Sequence, residues 1–223
     1  MLTFFRAALV ALLPLAATAD PLIGPIRVID GDTLDVGGVR VRLFGIDAPE
    51  LDQRCGTASA PMWACGAWAA AEVRARYQGR AATCAQIETD RYGRTVARCT
   101  VDGQDMGRAL VRDGLAFAFR RYSMDYDLDE KIAAVQGRGL HGAGVQPPDA
   151  FRATARAAAA AASLADAPEG CTIKGNISSD GKRIYHRPGQ RNYDETRIDT
   201  RRGERWFCTP EDAESAGWRA ARR

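Results

Sequence analysis

Residues Val28–Val36 read "VIDGDTLDV", a strand-forming run interrupted by two aspartates around a glycine. Asp and Gly are ordinary turn residues, so "DGD" alone predicts no more than a tight reversal between short strands. The following residues change its meaning. Gly37 and Gly38 close a second reversal, and "VRVRLFGIDAPE" (Val39–Glu50) alternates apolar and polar residues before ending on Asp47, Pro49 and Glu50. Two neighbouring strands then end in carboxylates, and pairing them gathers Asp32, Asp47 and Glu50 into one acidic pocket. Arg42 on the second strand is placed to offset that charge, because close carboxylates without a cation resist ionising together. Acids combined with an arginine point to phosphate chemistry.

Working outward, "PIRVID", "TLDV" and "VRVRLFGI" read as strands, and "WACGAWAAAEVRARYQ" reads as a helix with apolar residues at helical spacing. Two further strands, "ATCAQI" and "TVARCTV", flank the turn "DRYGR". "DMGRALVRDGLA" and "DLDEKIAAVQGRG" follow as helices, the second with acids in its first turn, where the helix dipole favours them. Five strands, with helices inserted after the third and following the fifth, predict an α+β domain built on a small Greek-key barrel of the OB type. Such barrels commonly bind nucleic acid on one face.

The chain has 223 residues and a formal net charge of +3, enough for one ordinary domain and a smaller one. "MLTFFRAALVALLPLAATAD" has an early Arg6, an apolar run and "ATA" before Asp20, the pattern of a secretory signal peptide over residues 1–19. An uncleaved anchor is the alternative; the apolar run is short for a span of about 20 residues and contains Pro14, so no stable membrane insertion is expected. An exported chain, periplasmic or extracellular, makes six cysteines read as disulfides. Strands flanking "DRYGR" set Cys84 opposite Cys99, Cys55 and Cys65 bracket one loop, and Cys171 and Cys208 remain; other connectivities stay open.

The motifs "VIDGDTL", "RLFGIDAPE", "DRYGR" and "ALVRDGLA", in this order and at these separations, resemble the staphylococcal nuclease (thermonuclease) family from about Pro25 to Gly144. The resemblance implies an OB-fold, one calcium ion (Ca2+) and cleavage of DNA and RNA phosphodiesters leaving 3′-phosphates. It makes Asp32 and Asp47 calcium ligands, with the Ala48 carbonyl, and Glu50 the candidate base. Arg42 and Arg94 match the phosphate-contacting arginines, Arg91 and Tyr92 lie where the family touches the terminal phosphate, and Tyr122 matches a tyrosine near the nucleotide. Ala48 stands where threonine is usual, and an ungapped reading puts Arg120 where a second tyrosine is expected. The all-oxygen set suits a hard cation and requires neither His nor Cys. The competing reading is a catalytically silent OB-type nucleic-acid-binding or surface-attachment protein, which the presence of the acids and both arginines disfavours. A monomer is expected.

Residues 20–150 are read as the nuclease-like domain and the alanine-rich run 151–168 as a linker, helical in part. Residues 169–223 form a small β-rich module stapled by Cys171 and Cys208, with short strands "TIKGNIS", "RIYH" and "ERWFC". Thr209 then caps a helix with Pro210 in its first turn. This module holds 12 Lys and Arg against 9 Asp and Glu, a surplus equal to the net charge of the whole chain. Its role is not legible. A zinc site of Cys171, His186 and Cys208 is the sharper alternative, short of the usual four ligands.

Overall fold

The computed structural model describes residues 20–57, 60–90 and 92–222. The signal-peptide reading of residues 1–19 and the substrate role given to Arg91 lie outside the described residues. The chain divides into two compact units, the first ending at Val145 and the second beginning at Gln146.

The first unit opens with β1 (Leu22–Val28), β2 (Thr33–Val36), β3 (Val39–Leu43) and the two-residue β4 (Ile46–Asp47). Val36 pairs with Val39 across Gly37 and Gly38, whose φ values of 58° and 90° suit the tight hairpin that joins right-twisted strands. "VRVRLFGI" is not one strand: Gly45, at φ 75°, breaks it and turns the chain so that β4 leaves the main sheet. A hairpin of β5 (Cys55–Thr57) and β6 (Ala60–Trp63), unforeseen in the sequence, precedes α1 (Cys65–Tyr77). Then come β7 (Ala81–Thr89), β8 (Thr95–Val101), β9 (Gln104–Asp105), α2 (Met106–Arg112), β10 (Phe117–Ala118) and α3 (Asp127–Val135). The main sheet runs β3-β2-β1-β7-β8-β9, and a parallel pairing of β3 with β8, Arg42 opposite Val96, closes five strands into a barrel.

Alternation along the strands fills the barrel: Ile26, Val28, Leu34, Val36, Val41, Leu43, Ala97 and Val101 turn inward and are buried. Val73 of α1 and Leu110 and Val111 of α2 complete this core. Cys84 and Cys99 are register partners and form a disulfide within it. Phe117, Trp63 and Trp68 serve packing: Phe117 is buried, and the two tryptophans meet edge to face at 5.5 Å beside the Cys55–Cys65 disulfide.

The second unit begins with α4 (Pro148–Ala165), so the alanine-rich run is helical almost throughout, with Pro148 in the first turn where a missing N–H costs nothing. β11 (Ile173–Ile177), β12 (Arg183–His186), β13 (Arg205–Phe207), α5 (Pro210–Ser215) and β14 (Arg219–Ala220) follow. Their sheet has the order β13-β11-β12-β14, with β14 parallel to β12. Ile173, Tyr185, Phe207, Ala213 and Trp218 form its core. The Thr209 side chain accepts from the Asp212 N–H as an N-cap. Cys171 and Cys208 are joined in a disulfide, which removes both thiolates that the zinc reading required. No helix among the described residues is long and apolar enough to cross a membrane.

Candidate active site

The two aspartates of "DGD" do different work. The Asp30 carboxylate accepts from the backbone N–H groups of Asp32 (3.0 Å) and Thr33 (2.7 Å), an Asx-type turn that shapes the reversal. Asp32 is thereby turned inward and is 4% exposed. Its carboxylate accepts from the Ala48 N–H at 3.0 Å and from the Thr33 hydroxyl at 3.0 Å. Gly31 leaves room for this approach, since a Cβ there would meet the Ala48 Cβ at 2.5 Å.

Asp47 reaches the same place from β4, which is held by pairing with β10, Asp47 opposite Phe117. Arg42 stands between the two acids: one Nη2 lies 3.1 Å from Asp32 and 3.0 Å from Asp47. Burial, offset in part by Arg42, pushes the Asp32 carboxyl up to about 6. Two buried carboxylates sharing one guanidinium leave an excess of desolvated negative charge, which a hard cation relieves. The set of Asp32, Asp47 and the Ala48 carbonyl is all oxygen and fits calcium. Among the described residues no three His, Cys, Asp or Glu side chains converge as a ready-made metal cluster, so the remaining ligands of a bound ion would be water and substrate.

Glu50 follows three residues after Asp47, in a loop fastened by a residue with no sequence signal. Gln53, 1% exposed, accepts from the Glu50 N–H through its side chain at 3.3 Å and donates its own N–H to the Glu50 carbonyl at 2.8 Å. The Gln53 carbonyl in turn accepts from the Gly66 N–H at the start of α1 at 3.2 Å. Gly66 packs so closely that a Cβ there would overlap the Glu50 carbonyl oxygen. The Cys55–Cys65 bridge ties both ends of this arrangement together. The pairing of Cys55 with Cys65 was readable; the roles of Gln53 and Gly66, just outside that pair, were not.

Arg94 immediately precedes Thr95, the β8 residue paired with Val41, so it sits at the end of the strand that runs beside Arg42's own. Its Nε donates to Asp90 at 2.7 Å, and its guanidinium lies 5.4 Å from the Tyr92 ring centre. Desolvation opposes ionisation of Asp90, but hydrogen bonds from Arg94 and Tyr92 outweigh it and hold the carboxyl below its usual range. Tyr92 and Tyr122 are both exposed, and Tyr122 packs at 4.9 Å on Phe119. Arg120 is engaged by Asp127 at 2.6 Å and Glu130 at 3.1 Å, so its plane serves the α3 junction. The geometry thus unites Asp32, Arg42, Asp47 and the Ala48 backbone, while Arg94 lies part-buried at the start of the strand paired beside Arg42's and Tyr92 and Tyr122 are exposed.

A closed five-stranded barrel whose strand ends gather two buried acids and an arginine defines a class, and comparison with known proteins agrees. Residues 40–139 match the family model described as staphylococcal nuclease homologue, and residues 152–220 match a second family model, ArfC. The succinoglycan biosynthesis protein ExoI of Rhizobium meliloti (strain 1021) is 37% identical over 135 residues, covering 58% of this chain and 67% of that protein. An uncharacterized endonuclease of Escherichia coli O157:H7 is 33% identical over 122 residues, 52% of this chain and 73% of the relative. The micrococcal nuclease of Shigella flexneri is 31% identical over 151 residues, 60% and 81% respectively. The chain belongs to the staphylococcal nuclease family, and nucleic acid is the substrate that membership implies.

Proposed function

We propose that the protein is an exported, calcium-dependent nuclease that hydrolyses phosphodiester bonds of DNA or RNA, acting as a monomer. The observation that carries this reading is the convergence of buried Asp32 and Asp47 on Arg42, with Glu50 on a braced loop three residues further on. We assign the activity to residues 20–150. Three disulfides are what an oxidising compartment maintains, in keeping with export.

Asp32, Asp47 and the Ala48 carbonyl would hold calcium, which when bound supplies charge that polarises a phosphoryl oxygen. Glu50 accepts the proton of the attacking water. Arg42 donates to phosphate oxygens and stabilises the charge that builds on them, a role its planar fork suits. Arg94, with Nε held by Asp90, offers its terminal nitrogens to the same phosphate. Arg91, Tyr92 and Tyr122 are assigned to the nucleotide. The silent-binding alternative finds no support in the site, where acids and arginines are all present.

The purified mature protein is expected to cleave single-stranded DNA and RNA with calcium, to stop when calcium is chelated, and to recover when it is restored. Undiminished cleavage in a calcium-specific chelator would overturn the metal assignment. Gln53→Ala should lower kcat about ten- to a hundredfold with little change in KM, since a small misplacement of a catalytic group costs that much. An equal rise in KM instead would show that the loop serves substrate binding.

A further inference from the structure

The second unit has a sheet face that its hydrophobic core does not use. Register places Lys174 of β11 opposite both His186 of β12 and Trp206 of β13, and Ile184 of β12 opposite Arg219 of β14. Lys174 is fully buried there, its Nζ donating to the Tyr193 carbonyl at 3.1 Å and lying 4.5 Å from the Tyr193 ring centre. Beside it, a cavity of about 330 Å³ is lined by Lys182, His186, Asn192, Arg219 and Arg222, together with Ile184. No carboxylate lines it among the described residues.

Exposed cations alone would be a solvated surface; His186 makes this a site. It is 6% exposed, and its Nε2 lies 3.0 Å from the Asn176 Oδ1, which accepts its hydrogen. Nδ1 is buried and has no hydrogen-bond partner among the described residues. A buried, unsatisfied ring nitrogen costs free energy on the order of 1–3 kcal/mol, and the residue that carries it also lines the cationic cavity.

We propose that this cavity binds a phosphomonoester-type oxyanion, with Arg219 and Arg222 meeting its oxygens and His186 sharing its proton. The ligand must bring negative charge for the arginines and a hydrogen for Nδ1. A phosphomonoester monoanion, R–O–PO₂(OH)⁻, brings both: its P–OH donates to Nδ1 while its other oxygens accept from the guanidinium forks. Sulfate or an internal phosphodiester carries no such hydrogen near neutral pH and needs the imidazolium form. Burial, reinforced by Lys174 across the strand, holds the His186 pKa below its usual value and disfavours that form. The charged and polar groups around the histidine and the cavity are Lys174 and Asn176 on β11, Lys182 before β12 with its partner Asp180, Arg219 and Arg222 on the β14 side, and Asn192 from the connecting loop, while Asp194 acts on Lys174. A bound oxyanion adds negative charge beside the two arginines, so binding should strengthen as pH falls through the ligand's second ionisation. Inorganic phosphate and the phosphorylated ends of nucleotides share this chemistry, and the site stands whether or not the nuclease reading holds.

The chain has two histidines, His141 in the first unit and His186 in the second, so imidazole resonances report the site with an internal control. The full mature chain, kept metal-free with chelator so that no turnover occurs, is titrated with inorganic phosphate, thymidine 3′-monophosphate, thymidine and sulfate. Phosphate or the nucleotide should shift the His186 resonances and raise its titration midpoint while His141 stays unmoved; thymidine should do nothing and sulfate less. Arg219→Ala with Arg222→Ala should weaken binding at least about tenfold, ~1.4 kcal/mol; Lys182 is left intact because it also pairs with Asp180. A response to the nucleotide alone assigns the site to nucleotide ends, and an equal response to both assigns it to the phosphate group itself. His186 resonances that move with none of the ligands, or a double variant that binds as wild type, would overturn the proposal.

Discussion

Glu50→Gln is expected to bind single-stranded DNA as the wild type does and to lose turnover by about two to four orders of magnitude. The substitution keeps the shape of the side chain and the backbone bonds to Gln53, both of which are independent of the carboxylate. What disappears is the carboxylate proposed to take the proton of water. Single-turnover cleavage measured beside equilibrium binding separates the two effects, and wild-type rates in the variant would remove Glu50 from the chemistry. A folded variant with weakened binding and normal turnover would instead make Glu50 a substrate contact.

Gly66→Ala should have the second largest effect, on stability and activity together. The added methyl has to occupy the place of the Glu50 carbonyl oxygen, and that atom belongs to backbone held by Gln53 on one side and by the Cys55–Cys65 bridge on the other. A flexible side chain could swing aside; this backbone cannot without moving Glu50, the proposed base. Overpacking of this kind costs about 3 kcal/mol, read as a lower denaturant midpoint at unchanged slope. The turnover number should fall with it even under conditions where the variant is fully folded. Ala69 and Ala70 sit one turn further along the buried face of the same helix, so Ala itself is no problem for α1; a wild-type midpoint for the variant would show that the loop can retreat.

Both expectations depend on contacts that the sequence does not display, whereas the barrel does follow from local pattern. Strand alternation in "VRVRL" and "TVARCTV", the diglycine at residues 37 and 38 and the Cys84–Cys99 facing pair each have a short-range cause: pleat period, positive φ and cross-strand register. The same holds for the Thr209 cap and for Pro148 opening a helix. The break of β3 from β4 at Gly45 was less legible, because a glycine within an alternating run can be tolerated or can bend the chain. The strand is bent here by what surrounds it: the Gly45 carbonyl accepts from the Phe119 N–H, and a Cβ at Gly45 would crowd the fully buried Tyr126 ring.

The acids of the site were legible as residue types at strand ends, and Arg42 as their neighbour, since strand pairing brings ends together. "DGD" by itself does not say which of Asp30 and Asp32 shapes the turn, because either carboxylate can cap a reversal; the linked motifs and their family resemblance singled out Asp32. The choice falls to the barrel, whose closure brings the Ala48 N–H and Arg42 to Asp32 and leaves Asp30 to the local backbone. Gln53, Gly66 and the His186 cavity share that origin. Each depends on a partner distant in the chain or on a neighbouring strand, so its meaning comes from packing, while the strands, the caps and the facing of Cys84 and Cys99 were set by local pattern.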